Sequence, residues 1–271
     1  MANNDMMTWE EAVSWLKSQP DKARLVEACF YDDPILQSAE RFYSTTEWHE
    51  TQRILSGRGG RALDIGAGRG ISSFALAKDG WQVTALEPDP SPEVGAGAVF
   101  RLAREANLPI DVVTDWGEKL PFDDASFDLV YCRAVLHHAR DLNRLCAEAG
   151  RVLRSGGLML AAREHVISND KDLDVFLRGH PLHHLYGGEK AYRKSEYIFA
   201  LTQAGLTLSH VLNPFQSDIN LFPDTPLDLK RRWSKKLRLP WPAIIPDFAL
   251  PLAGAVTRGP GRLYSFVARK D

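Results

Sequence analysis

The fold of this 271-residue chain is decided by the stretch Leu63-Asp64-Ile65-Gly66-Ala67-Gly68-Arg69-Gly70. A short apolar strand ends at Ile65, glycines follow at alternate positions, and a helical pattern begins directly afterwards. Glycine lets the backbone turn tightly and approach a ligand where a Cβ would collide. In open α/β sheets a nucleotide site belongs at such a strand-to-helix turn. The stretch therefore predicts a nucleotide-binding turn.

The glycine spacing disfavours a dinucleotide as the ligand of this turn. A dinucleotide fingerprint requires G-x-G-x-x-G, whereas the third glycine here comes one residue early and position 71 is isoleucine. A carboxylate at Asp64 would also repel a pyrophosphate. It suits a ligand with a cationic amino acid end, so the residues favour S-adenosylmethionine over NAD.

Short apolar strands alternate with helical stretches on both sides of this turn. Strand-to-helix alternation at this spacing predicts parallel strands joined by right-handed crossovers, which is a doubly wound α/β sheet. The predicted strands are 62–65, 82–86, 110–114, 127–132, 158–162, 206–212 and 262–269. The predicted helices are near 71–79, 92–106, 141–153 and 195–204.

Residues 1–60 are predicted to form a helical block that acts as a lid over the ligand. Thr8 and Glu11 have the spacing of a capping box, and apolar residues follow at helical intervals. Asp21 is expected to cap a second helix that carries Leu25, and a third helix is expected over about 36–55.

Over about 61–165 the chain resembles the class I S-adenosylmethionine-dependent methyltransferases. The resemblance implies S-adenosylmethionine as cofactor and a seven-stranded sheet of order 3-2-1-4-5-7-6 whose last strand is antiparallel. It also implies a set of cofactor-binding residues, in which the loop holds the methionine end, Glu87 the ribose hydroxyls and Asp115 the adenine. That set is Asp64, Gly66, Ala67, Gly68, Gly70, Glu87, Pro88, Asp115, Trp116 and Arg133.

The stretch 213–260 departs from this family, whose last two strands are usually joined by a short hairpin. It contains eight of the sixteen prolines and a basic run at 230–238. We interpret 61–271 as one methyltransferase domain with an insertion at 213–260, and expect the insertion to fold over the acceptor pocket. The basic run is most simply a solvated helical face, with weak contact to an anionic membrane surface or to nucleic acid as alternatives.

The acceptor site is expected beyond the carboxyl ends of the fourth and fifth strands. An alcohol acceptor must lose a proton as it attacks, and histidine is the side chain suited to accept it. The candidates for this base are His165, His183 and His184. No cysteine or evenly spaced acid completes a ligand set around His180, His183 and His184, so no metal is predicted.

The residues predict O-methylation of a small molecule or saccharide. The alternatives left open are an N-methyltransferase, an RNA methyltransferase and a non-catalytic S-adenosylmethionine-binding protein. The net charge of −2 gives no reason to expect a nucleic acid partner. Three scattered cysteines, a polar N-terminus and the absence of a long apolar run favour a cytoplasmic protein. The oligomeric state is not predicted.

Overall fold

The computed structural model describes residues 6–271 and centres on one mixed sheet. The strands are β1 (Arg61–Ile65), β2 (Gln82–Leu86), β3 (Ile110–Val113), β4 (Phe127–Arg133), β5 (Leu153–Ile167), β6 (Tyr192–Arg193), β7 (Leu206–Leu212) and β8 (Arg262–Lys270). Their order is β3-β2-β1-β4-β5-β8-β7. This confirms the predicted fold, because β7 and β8 are the two strands expected at that edge and β8 is antiparallel to both neighbours.

The eighth strand is the short β6, which the sequence did not predict. It pairs in parallel with the end of β5, where Val166 lies opposite Tyr192. This pairing brings the segment before β6 back across the carboxyl end of β5. The segment contains the histidine-rich stretch that begins at His180.

Helices cover both faces of the sheet. They are α1 (Trp9–Lys17), α2 (Ala23–Ala28), α3 (Ile35–Tyr43), α4 (Thr46–Leu55), α5 (Ile71–Lys78), α6 (Ala96–Ala106), α7 (Leu142–Val152), α8 (Asp170–Gly179), α9 (His183–Tyr186), α10 (Lys194–Gln203), α11 (Asp218–Leu221), α12 (Pro226–Leu237) and α13 (Ala249–Val256). Alternate residues of β4 enter two separate cores, as the twofold repeat of a strand requires. Val130 packs with Cys146 of α7, and Tyr131 packs with Trp48 of α4.

The N-terminal helices differ in part from the expectation. The Thr8–Glu11 capping box is present. Asp21 caps nothing, because Pro20–Lys22 forms a 3₁₀ turn before α2. The single helix expected over 36–55 is two helices, since the Thr45 hydroxyl accepts a hydrogen bond from the Trp48 amide and begins a new one. The part of this block before residue 6 lies outside the described residues.

The insertion folds into short helices with a small apolar cluster of its own. Leu221, Leu229 and Leu250 are buried together, with Phe215 and Trp233 packed against them. Within residues 6–271, no helix has the length and apolar character needed to cross a membrane.

Candidate active site

A cavity of about 620 Å³ lies at the carboxyl ends of β1, β2, β4 and β5. The glycine loop and Glu87 form one end of its wall, and histidines from three separate segments form the other. Residues of α1, α2 and the turn after α2, including Trp9, Leu16 and Tyr31, also line it. The volume falls in the range of small-molecule sites, roughly 300–1,000 Å³.

The glycine loop has a backbone that other residues adopt with strain. Gly66, Gly68 and Gly70 have φ angles of 65°, 54° and 80°. A Cβ at Gly66 would lie 2.7 Å from a methyl group of Val135. The loop therefore requires glycine for its conformation and, at Gly66, for close packing against Val135. Gly66 and Gly68 line the cavity, whereas Gly70, which was also predicted to bind the cofactor, does not.

Glu87 follows β2 and lines the cavity beside the glycine loop. Its carboxylate accepts hydrogen bonds from the Gly68 amide at 2.7 Å and the Asp89 amide at 2.9 Å. Burial raises the pKa of Glu87, and those two amides oppose the shift. Because an ionised carboxylate can accept about four hydrogen bonds, it retains capacity for a ligand hydroxyl pair.

Asp64 lies behind the loop and is not among the residues that line the cavity. It is almost fully buried, and the Ser73 hydroxyl donates to it at 2.6 Å. Burial raises the pKa of Asp64 to about 7; the Ser73 hydrogen bond opposes this shift and the nearby Glu87 adds to it. A carboxylate kept in such a position is costly, which is more typical of a functional site than of a packing role.

The other predicted cofactor residues are divided between the cavity wall and its surroundings. Ala67, Pro88 and Trp116 line the cavity, whereas Asp115 does not. The Asp115 carboxylate accepts the Trp116 amide at 2.7 Å. The Trp116 ring is half exposed and lies under the Arg140 guanidinium, 3.9 Å from its centroid.

Arg69, for which no role was predicted from the sequence, connects the glycine loop to the N-terminal block. Its buried guanidinium donates to the carbonyls of Phe30 and Asp32 and to the Asp33 carboxylate at 2.6–3.0 Å. This fixes the turn after α2 against the loop. The neighbouring Phe30 and Tyr31 also line the cavity.

Arg133 lines the cavity but is already paired. Its guanidinium donates to both carboxylate oxygens of the fully buried Glu47, at 2.6 and 2.9 Å. Burial lowers the pKa of Arg133, but Glu47 outweighs it and holds the pKa above its ordinary value. Arg163, 3.7 Å from the same carboxylate, also lines the cavity. The structure thus places a fixed cationic pair here, with Glu47 as a partner that the sequence did not reveal.

The histidine end of the cavity contains a group we call the histidine–glutamate cluster, which is His137, His138, His180 and Glu189. The Nε2 atoms of His137 and His138 lie 3.8 and 3.9 Å from Glu189 Oε2. His180 Nε2 lies 3.5 Å from Glu189 Oε1. Burial lowers the pKa of both His137 and His180, so neutral imidazoles are favoured there.

His165 is the one predicted base that the structure brings to the cavity. Its Nδ1 lies 2.9 Å from the Gly261 carbonyl, an acceptor, which fixes the proton on Nδ1 and leaves Nε2 free to accept another. Burial lowers the pKa of His165 to about 4. The ring packs against His137, with centroids 4.7 Å apart.

His183 and His184 do not line the cavity, contrary to what was expected of a catalytic base. Both are in the four-residue helix α9, and the His184 ring packs edge-on against Trp15. The chain enters α9 from His180 and leaves it through Gly187, so the residues on either side of the helix reach the cavity instead. Glu189 was not predicted, and His180 was considered only together with His183 and His184, because the sequence gives no indication of which part of this segment faces inward.

The insertion is also placed differently from the expectation. Among the described residues, none between 213 and 260 lines the cavity. It contacts two residues of the cavity wall: the Arg163 guanidinium donates to the carbonyls of Ile219 and Phe222, and the Phe222 ring stacks on Phe30. Three cations of the basic run are in ion pairs, namely Lys230, Arg231 and Arg232.

Comparison with known proteins identifies the family. A family model described as a methyltransferase domain matches residues 63–161. The ubiquinone biosynthesis O-methyltransferase of Agrobacterium fabrum is 30% identical over 172 residues, which is 60% of this chain and 68% of that protein. The chain belongs to the class I S-adenosylmethionine-dependent methyltransferases. It is therefore a methyltransferase whose cofactor is S-adenosylmethionine.

A second relative is also a methyltransferase by name, and solved structures share the fold. An uncharacterized methyltransferase, YcgJ of Bacillus subtilis, is 32% identical over 117 residues, or 43% of this chain and 45% of that one. A geranyl diphosphate C-methyltransferase from Streptomyces coelicolor, solved with S-adenosyl-L-homocysteine, has a TM-score of 0.59 at 16% identity, covering 89% of this chain and 85% of its own. The [4+2]-cyclase SpnF has a TM-score of 0.57 at 20% identity, with coverage of 86% and 81%. The fold alone therefore leaves the acceptor open.

Proposed function

We propose that this methyltransferase acts on a hydroxyl group of a small molecule, a saccharide included. The observation that carries the proposal is the continuity of the cavity from the glycine loop to His165 and the histidine–glutamate cluster. Amines attack as free bases, whereas a hydroxyl must lose its proton as it attacks. A cavity wall with several imidazoles suits the second kind of acceptor.

We assign the cofactor to the glycine-loop end. The bare backbone of Gly66 and Gly68 accommodates the amino acid end, with the Asp64 carboxyl behind it. Glu87 receives the ribose hydroxyls, and Trp116, whose amide donates to the Asp115 carboxylate, borders the adenine. These residues fit the group because the space in front of Gly68 is open, with only the Val94 carbonyl within 4 Å of an added Cβ, at 3.8 Å, and because Glu87 retains free acceptor positions.

Bound S-adenosylmethionine would supply a methyl group on a sulfonium: the acceptor oxygen would attack the methyl carbon in line with its bond to sulfur, and that bond would break to release S-adenosyl-L-homocysteine. His165 Nε2 accepts the hydroxyl proton, while the Gly261 carbonyl holds its Nδ1–H. The N-terminal residues that line the cavity exclude water from the reacting groups. Most of the rate then comes from alignment of the two partners, to which the base adds.

The lining favours a small acceptor with an apolar part. Trp9, Leu16 and Leu25 from the N-terminal block face the cavity, and a polymer would have to displace them. The Agrobacterium fabrum relative is an O-methyltransferase by name. It supports oxygen as the acceptor atom, and a phenolic compound is the first to try, with saccharides next.

The experiment uses S-adenosylmethionine labelled with a trideuterated methyl group. A panel of phenols, catechols and sugars is assayed beside matched compounds in which an amine replaces the hydroxyl. We expect the labelled methyl on oxygen, detected by mass spectrometry and NMR. Transfer only to the amines would replace the proposal with N-methylation, and transfer only to RNA would replace it with RNA methylation.

We also propose weak contact with an anionic membrane surface through the insertion. Phe248, Leu252 and Val256 follow one another at four-residue intervals, so they share one face of α13, and each is more than 60% exposed. The neighbouring helix α12, whose Leu229 packs with Leu250 of α13, carries the exposed Lys235 and Lys236. An exposed apolar stripe together with basic residues is typical of helices that lie on anionic lipid.

A further inference from the structure

We propose that His137, His138 and Glu189 form a binding site for a divalent transition-metal ion at the acceptor end of the cavity. One ligand atom from each residue lies within 4.8 Å of the other two. Two imidazoles with one carboxylate are a donor set that first-row transition metals prefer, whereas magnesium and calcium prefer oxygen alone. This set was not predicted from the sequence, because a metal site was considered only around His180, His183 and His184, where no acid completes it.

The unused oxygen of Glu189 is the independent observation that points to an ion. The side chain is only 3% exposed, and its Oε1 accepts a hydrogen bond from the Tyr186 hydroxyl. Its Oε2 is buried and has no hydrogen-bond partner among the described residues. An unpaired buried carboxylate oxygen costs stability unless a cation or donor satisfies it. This atom is the one nearest the Nε2 atoms of His137 and His138.

His137 is oriented as metal-binding histidines usually are. Glu164 Oε2 lies 2.7 Å from its Nδ1, and the same carboxylate accepts the backbone amides of Val135, Leu136 and His137. Such a carboxylate fixes the tautomer and turns the other ring nitrogen toward the ion. Glu164 is fully buried, so its contact with His137 is shielded from water.

The distances agree with a site that tightens slightly around an ion. Two ligands at about 2.1 Å from a tetrahedral zinc ion are about 3.4 Å apart. The observed separations of 3.8 and 3.9 Å between Glu189 Oε2 and the two Nε2 atoms are a few tenths of an ångström longer. His180 Nε2, 3.5 Å from Glu189 Oε1, is placed to hold the other oxygen of the carboxylate.

The role of the ion rests on the proposed function. All three ligand residues line the cavity, so the open coordination positions face the acceptor. A hydroxyl oxygen bound there would be oriented, and its proton would be easier to remove. Binding of the ion itself does not depend on that function.

The test is zinc binding by the purified full-length chain after treatment with a chelator. Titration calorimetry with ZnCl₂, repeated with MgCl₂, measures affinity and stoichiometry without any acceptor. We expect one zinc ion per chain and much weaker binding of magnesium. Glu189→Gln and His138→Asn should each weaken zinc binding at least tenfold, and Glu164→Gln by about 10- to 100-fold. His49→Ala, which removes an exposed histidine of α4, should change nothing.

Absence of stoichiometric zinc binding would overturn the proposal, as would equal affinity in the parent, Glu189→Gln and His138→Asn. S-adenosyl-L-homocysteine binding by each variant shows whether it is folded; His138→Asn, at a partly exposed position, is the variant that folds most safely. Zinc binding that is lost in the variants, together with no methyl transfer to any hydroxyl, would reject the proposed function and leave the metal site standing.

Discussion

The two ends of the cavity differ in how the chain builds them. The cofactor end comes from the turn after β1 and the residues after β2, with Gly68 and Glu87 joined directly by a hydrogen bond. The histidine end is assembled from the turn after β4, the end of β5 and the segment that β6 brings back across it. The cofactor end comes from two adjacent strand ends, whereas the histidine end is a set of side chains that lie far apart in the sequence.

This difference separates what is common to the family from what is particular to this chain. The glycine loop after β1 and Glu87 after β2 together suit a single cofactor, S-adenosylmethionine. Side chains gathered from several segments can change one at a time, so the acceptor end is where specificity is expected to vary. Variants at one end of the cavity should therefore leave the function of the other end unchanged.

The largest effect is expected from His165→Gln. The glutamine amide can still donate to the Gly261 carbonyl but cannot take a proton, so kcat should fall by about 10²- to 10⁴-fold. The dissociation constant for S-adenosyl-L-homocysteine should remain unchanged, as measured by calorimetry. His210→Ala, at an exposed position of β7, is the control. A kcat within about threefold of the parent would mean that alignment alone drives the reaction.

Glu87→Ala is expected to affect cofactor binding, which His165→Gln leaves unchanged. Loss of the carboxylate should weaken binding of S-adenosyl-L-homocysteine by about 1.5–3 kcal/mol, the scale of hydrogen bonds to a charged group. Titration calorimetry measures it, with Glu105→Ala on the exposed face of α6 as a matched acid. An unchanged dissociation constant would show that the ribose is held elsewhere.

Asp64 connects cofactor binding to stability. Its pKa rises from 3.8 to about 7 on folding, so the folded state holds the proton more tightly than the unfolded chain. The contribution of this group to the free energy of unfolding is therefore greatest below pH 4 and is lost as the pH rises to about 7. Asp64→Asn should raise the free energy of unfolding by about 1–2 kcal/mol at pH 8, and by less at pH 5. Urea unfolding at the two pH values checks this, and an equal change at both would contradict it.

The smallest effect is expected far from both ends. Phe248→Ser with Leu252→Ser should reduce sedimentation with phosphatidylglycerol vesicles several-fold, while kcat stays within about threefold of the parent. Phe199→Ser, an exposed phenylalanine of α10, is the matched control. Equal sedimentation of the parent and the double variant would contradict the proposed membrane contact.

How much could be predicted from the sequence follows the same division. The strands and the glycine loop were predictable because each depends on neighbours in the chain, as does the Thr8–Glu11 capping box. Glu189 was not assigned to a site, because its position depends on β6 pairing with β5 and on the orientation of a four-residue helix; the same contacts bring His180 to the cavity. The Gly187-Gly188 turn was the available signal, since it allows the chain to reverse just before Glu189.

The insertion shows the second limit of sequence-based prediction. Its proline content indicated a break in the regular fold, but not where the segment would pack. Position depends on long-range contacts such as those of the Arg163 guanidinium with the Ile219 and Phe222 carbonyls. The pattern of 213–260 contains nothing that would place it beside the cavity or away from it.

The most direct test of the two-ended cavity is a crystal structure with S-adenosyl-L-homocysteine bound. We expect the ribose hydroxyls within hydrogen-bonding distance of the Glu87 carboxylate, and a sulfur atom that faces His165 and the histidine–glutamate cluster. A cofactor whose ribose lies away from Glu87, or whose sulfur points away from His165, would contradict it.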